Sequence, residues 1–397
     1  MSSTKLWNQN FLLLWIGQAQ SLCGNILYTV ALTYLVLDLT GTPKYTAITM
    51  AAGLIPYVFS PLVGVMIDRI NIKPYLVVGD LIRGLLMIFI CYLLYMDQLT
   101  VFIIVVSAFI SGLIGVIYRP SFGALLPKLV PKEDIARANA LNSLSGQIAT
   151  FAGFVFGGLL VAYVGTLFAI LINGISFLIM SVLLSLIRFP EVAKNRIQAS
   201  VIQDLKEGFR YLFSTSSLWR IPFIFFAMGV SYAALEMLMP VKLKSVNYGA
   251  EGFGILFSAL LIGSICVSSF ISKSGKNLDT SWYTPIGLIV MGVSMGGLAF
   301  STNFITSCIF AFIYGMGSSL VSISSITFIQ TNVADPFRGR IFGLFGVIEQ
   351  ACMPIALLII GKSTDFLSTD FILYAVAFGI GCIAFLCWSR RGGQAHV

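Results

Sequence analysis

Apolar runs of about the length of a membrane crossing, each closed by a few polar residues, recur along the whole chain. A bilayer core of ~30 Å takes about 20 mostly apolar residues of α-helix. Runs that meet this need fall at 11–37, 45–67, 75–96, 99–126, 137–163, 166–187, 221–241, 252–272, 282–301, 304–328, 341–360 and 371–388, twelve in all. In lipid every backbone N–H and C=O must be satisfied within its own segment or a closed barrel. Barrel strands are about ten residues long with alternating polarity, and these runs do not alternate, so the expected fold is an all-α membrane protein. Composition agrees: 10% of the 397 residues are charged, against roughly a quarter in a soluble domain. The fourth run carries Pro120 and Pro127 and is expected to leave the membrane near its end.

Basic residues orient the spans. With both termini in the cytoplasm, 18 of the 24 Lys and Arg fall on that side, and Lys44, Lys242, Lys244 and Lys362 fall outside. Arg83 and Arg119 sit within hydrophobic spans. The positive-inside rule selects this topology and accounts for the net charge of +8 without a nucleic-acid partner, since the bases are scattered over short loops. The first run has no short apolar core or small-residue cleavage site, and it is read as a span rather than a cleaved leader. All seven cysteines lie inside expected spans with no metal-site spacing, and they read as packing residues rather than a disulfide framework. The single histidine, His396, is too near the end to relay protons through the membrane.

The longest polar interruption, 188–220, divides an N-terminal bundle of six helices (1–187) from a C-terminal one (221–397). Within it Val201, Leu205, Phe209 and Leu212 have helical amphipathic spacing, which predicts an interfacial helix. The two halves show a faint repeat. At an offset of 203, "RANALNSLSGQ" from Arg137 aligns with "RIFGLFGVIEQ" from Arg340, matching Arg, Leu and Gln.

The stretch "GVMIDRINIK" at 64–73 resembles the major facilitator superfamily signature between helices 2 and 3, through Gly64, Asp68, Arg69 and Lys73. Asn71 and Ile72 replace a usual Gly and base. "YRPSFGALLPKLVPKEDIARANAL" at 118–141, "GQAQSLCGN" at 17–25 and "LTGTP" at 39–43 are similar to the branch holding macrolide-efflux proteins and enterobactin exporters. The resemblance implies twelve transmembrane helices in two pseudo-symmetric six-helix bundles. These would rock about a central site near the midplane, with helices 1, 4, 7 and 10 lining the cavity. It also implies a latch on the cytoplasmic side, in which Asp68 faces the start of helix 11 and pairs with Arg338 or Arg340. Three positions depart from the family pattern. Phe154 stands where antiporters often have Pro, Asn25 where many branch members have Asp, and helix 4 lacks a mid-membrane Arg. The pattern therefore offers no ionisable group at the usual helix 1 and helix 4 coupling positions.

Ionisable groups inside spans are costly unless paired, hydrated or neutralised. Asp80, Arg83, Glu236 and Glu349 are such groups. Asp80 and Arg83, three apart near the cytoplasmic end of helix 3, read as a structural ion pair. Glu236 shares a helix 7 face with Tyr232 and Gly229. It reads either as a proton carrier or as an acid near the outer mouth, hydrated or paired with Lys242 or Lys244. Glu349, beside Gln350 near the middle of helix 11, is either a coupling group or a structural carboxyl at the seam. Gln18, Ser21, Asn25 and Tyr28 form a polar stripe on helix 1, which either lines a wet cavity or binds helices together.

The expected activity is secondary active transport by alternating access, with the proton gradient driving efflux of an amphipathic small molecule (drug, macrolide or siderophore-like). The alternatives are an uncoupled facilitator or lipid flippase of the same fold and, more remotely, a non-transporting receptor. No enzyme is expected, because no intramembrane histidine and no nucleotide-binding Gly-x-x-x-x-Gly-Lys-Ser/Thr loop exists. No cofactor is expected beyond the proton gradient. The expected partners are substrate, protons and lipid, acting on a monomer in the cell membrane.

Overall fold

The computed structural model describes residues 6–60, 63, 71–188, 209–212, 218–274, 280–333 and 335–389. The chain divides into two compact units, Met1–Gln198 and Ala199–Val397. Most of the expected 188–220 connection lies outside the described residues, and of its amphipathic segment only 209–212 are described, as helix.

The N-terminal unit holds α1 (Gln9–Thr40), α2 (Pro43–Leu54) with a following 3-10 turn (Ile55–Phe59), α3 (Ile72–Tyr95), α4 (Val101–Gly115), α5 (Tyr118–Leu129), α6 (Ile135–Tyr163) and α7 (Thr166–Leu186). The C-terminal unit holds α8 (Ile221–Ser245), α9 (Ala250–Ser274), α10 (Thr280–Phe300), α11 (Phe304–Asn332), α12 (Asp335–Ser363) and α13 (Thr369–Ser389). Among the described residues there is no strand, and eleven segments are long and apolar enough to span a bilayer. The twelfth expected span, second in order, is described as α2 and its 3-10 turn, and its later part lies outside the described residues.

Local chemistry sets the breaks. The fourth run, expected as one span, is interrupted between α4 and α5. Pro120 has no N–H, and its ring would strike the carbonyl four residues earlier, that of Val116, where α4 has just ended. Asn8, Thr100 and Asn303 cap α1, α4 and α11, each side chain accepting a backbone N–H of the first turn. Gly41 closes α1 in the left-handed conformation (φ 68°), its N–H bonded to the Leu37 carbonyl.

Four helix pairings recur in both units, while α10 also packs extensively on α11, a pairing that α3 and α4 barely share. In the first, α1 lies against α6 and α7, α2 against α4, and α3 against α7. In the second, α8 lies against α12 and α13, α9 against α11, and α10 against α13. The 203-residue offset relates the glycines Gly112 and Gly315 at two close crossings, though not the carbonyls they meet. A Cβ on Gly112 of α4 would strike the Gly53 carbonyl of α2, and one on Gly315 of α11 would strike the Leu260 carbonyl of α9. In lipid, which is as apolar as the side chains and gives no hydrophobic drive between helices, close backbone approach gains van der Waals contact. Large apolar side chains stay exposed along the spans, among them Phe102, Phe156, Phe270 and Phe378. Water does not tolerate that much apolar surface, whereas acyl chains do.

Candidate functional site

The N-terminal unit carries a half-open cavity of about 470 Å³. One wall is the helix 1 stripe: Gln18, Ser21 and Asn25 all line it. Tyr28, the fourth member, is not among the lining residues; its hydroxyl is buried with no hydrogen-bond partner among the described residues. The facing walls are Arg83 of α3, Tyr57, Tyr118 and Phe122, Asn142 and Ser145 of α6, and Met180 of α7. Hydrogen bonds across the unit hold these walls in register. Trp15 Nε1 donates to the Leu141 carbonyl (3.3 Å) and Gln20 Nε2 to that of Ser176 (3.0 Å), fixing α1 on α6 and α7. Ser181 donates to the Val77 carbonyl (2.7 Å) and Tyr118 to that of Leu76 (2.7 Å), fixing α7 and α5 on α3.

Arg83 is the one charged residue among the described residues lining this cavity. Its NH1 lies 3.5 Å from Asp80 Oδ1, an i, i+3 ion pair. Its guanidinium carbon sits 3.9 Å from the Phe177 ring centroid and 5.5 Å from that of Tyr118, so aromatic faces bracket the cation. Asp80 is fully buried and does not line the cavity. Among the described residues, Arg83 Nε and Gln18 Oε1 lack hydrogen-bond partners. Each orphaned buried group of this kind costs about 1–3 kcal/mol. The pair read from sequence as structural is therefore also part of a cavity wall, and its Arg83 keeps an unfilled donor.

In the C-terminal unit Glu236 of α8 is 8% exposed. It has no ion-pair or hydrogen-bond partner among the described residues. Lys242, a candidate partner from sequence, instead binds Asp370 of α13 (2.6 Å) and the Ala299 carbonyl at the end of α10. Around Glu236, Tyr232 stands edge-on to Phe257 of α9 (centroids 6.0 Å, 89°), and Ser231 is bonded to the Tyr314 hydroxyl of α11 (2.6 Å). A carboxyl, two phenols and a hydroxyl thus gather where α8, α9 and α11 meet.

The remaining sequence candidates separate by position. Lys73 Nζ donates to the carbonyls of Ser185 (2.7 Å) and Ile187 (2.8 Å), capping the C-terminus of α7. Gly64, Asp68 and Arg69 lie outside the described residues, as do the side chains of Arg338, Arg340 and Glu349, whose backbones belong to α12. Tyr57, Tyr118, Asn142 and Ser145 were not anticipated as lining residues. Asn142 and Ser145, three apart on α6, carry the same helical-spacing signal as the helix 1 stripe.

Residues 14–357 match the family model described as Major Facilitator Superfamily. Macrolide efflux protein A of Streptococcus pyogenes is 23% identical, with 96% of each chain covered. BacE of Bacillus subtilis (strain 168), assigned to bacilysin export, is 24% identical over 88% of this chain and 86% of that one. The crystal structure of the nucleoside transporter NupG superimposes with a TM-score of 0.77 at 16% identity, covering 96% of this chain and 98% of that one. A multi-pass helical chain matched to one family model over most of its length identifies its class: the protein belongs to the major facilitator superfamily of membrane transporters.

Proposed function

We propose that the protein is a proton-driven exporter of amphipathic small molecules, working as a monomer by alternating access in the cytoplasmic membrane with both termini inside. The observation that carries the coupling is Glu236, a carboxyl 8% exposed with no basic partner among the described residues. Lys242 is held elsewhere by Asp370. Such a carboxyl can keep a proton in one conformation and release it when another conformation lets water in. The direction and substrate class follow the names of the relatives, a macrolide efflux protein and a bacilysin exporter. A polar-walled cavity with apolar faces suits the same class of ligand.

The test is flux of a substrate panel into or out of proteoliposomes with an imposed pH gradient. Gradient-dependent flux is expected for the wild type. Glu236→Gln is expected to abolish the gradient dependence while substrate exchange persists. Coupled flux unchanged in that variant removes Glu236 from the mechanism, and substrate movement with no proton movement replaces the exporter with an uncoupled facilitator.

A further inference from the structure

We propose that the cavity of the N-terminal unit takes the carboxylate of an amphipathic anion, with Arg83 as the residue that holds it and Gln18 as the acceptor for a neighbouring N–H of the ligand. This rests on the small-molecule exporter reading and narrows its substrate class.

The walls specify both parts of such a ligand. Among the described lining residues Arg83 supplies the charge, and Asp80 stands behind it, fully buried and away from the cavity. A ligand therefore meets the basic member of the pair. Asp80 engages the guanidinium through NH1 at 3.5 Å, longer than a charge-assisted hydrogen bond. The Nε edge has no hydrogen-bond partner among the described residues. That edge is the one a carboxylate grips with two parallel N–H···O bonds, so ligand and Asp80 can share one guanidinium without exchanging places. Nε is itself buried, so gripping a carboxylate in this way requires the Arg83 side chain to present that edge to the cavity on binding. Gln18 Oε1 is a lone-pair acceptor with no donor among the described residues, and an N–H on the atom next to the carboxylate-bearing carbon supplies one. Phe122, Leu22 and Met180 provide the apolar remainder of the wall. N-acylated or N-sulfonylated amino acids combine these three features.

The experiment titrates the purified full chain in detergent with dansyl-phenylalanine and, separately, its carboxamide, following dansyl fluorescence. Wild type is expected to bind the acid at least tenfold more tightly than the amide. Arg83→Gln is expected to bring that ratio to about one with the amide's affinity unchanged, and Arg83→Lys to restore part of it. Asp80→Asn, which removes the competing negative charge, is expected to widen the ratio. Equal wild-type affinities for acid and amide overturn the proposal even if no variant folds. A folded Arg83→Gln protein that keeps the full ratio overturns it as well. No gradient or flux enters the measurement, so a retained acid preference alongside absent proton-coupled flux counts against the exporter reading alone.

Discussion

The Tyr314 hydroxyl and Ser231 Oγ are hydrogen-bonded at 2.6 Å, and we assign the phenol as donor because Ser231 Oγ also lies 2.9 Å from the Met228 carbonyl, which can take its single proton. Both side chains are buried. The direction of donation makes the two deletions unequal. Tyr314→Phe removes one hydrogen bond and leaves Ser231 still donating, at a cost of about 1 kcal/mol. Ser231→Ala leaves a buried phenol without an acceptor, at a cost of about 1–3 kcal/mol. Thermal unfolding midpoints in a single detergent are expected to fall further for Ser231→Ala. Equal shifts, or the reverse order, contradict the assigned direction.

The glycine crossings predict a matched pair of defects. At Gly112 and at Gly315 an added methyl would meet a backbone carbonyl of the facing helix, that of Gly53 or Leu260. A carbonyl inside a helix cannot swing aside as a flexible side chain can. Gly112→Ala and Gly315→Ala are each expected to force their helix pairs apart, costing about 1–3 kcal/mol through overpacking. Gly123, with open space around its Cβ position, is the control for the general effect of replacing a helical glycine. The readout is the yield of monodisperse protein after mild heating. Tolerance at Gly112 and Gly315 equal to that at Gly123 contradicts the close crossing.

Much of this architecture can be read from the chain because lipid leaves an apolar run of about 20 residues few alternatives to a helix. The helix 1 stripe was legible for a related reason: Gln18, Ser21 and Asn25 share a face at helical spacing whatever packs against them. Arg83 was legible only as the partner of Asp80, since its place in the cavity wall depends on how α3 turns toward α1 and α5. The partner of Lys242 was not legible at all. Asp370 lies 128 residues away and is brought near by the α8–α13 packing. The break before Pro120 was foreshadowed by the proline, but its position follows from the carbonyl that the ring would strike.

Lys73 yields a prediction that separates capping from gating. Its ammonium meets two carbonyls at the end of α7, where the helix dipole also favours a cation by about 0.3–1 kcal/mol. Lys73→Met is expected to speed amide hydrogen exchange in the last turn of α7 by roughly fivefold, the equivalent of about 1 kcal/mol of local opening. Lys73→Arg is expected to restore protection. Unchanged exchange in Lys73→Met, combined with an altered transport rate, would assign the residue to the gate instead.

Lys242 is 8% exposed, while the side chain of its partner Asp370 is 53% exposed. This unequal burial makes the two single deletions unequal. Asp370→Ala leaves a buried ammonium with the Ala299 carbonyl as its remaining bonded partner and removes an acid from the first turn of α13, where the dipole favours it. Lys242→Met leaves a carboxylate that water already reaches. Breaking a fully buried pair costs about 3–5 kcal/mol, but the exposure of Asp370 admits solvent and reduces the expected penalty for Asp370→Ala to about 1–2 kcal/mol. Lys242→Met is expected to cost less, and the double variant to be no less stable than Asp370→Ala alone, because the stranded charge has gone. A double-mutant cycle on unfolding midpoints measures that coupling. Additive losses, or a larger loss for Lys242→Met, would show that the pair is held together by its surroundings rather than by its charges.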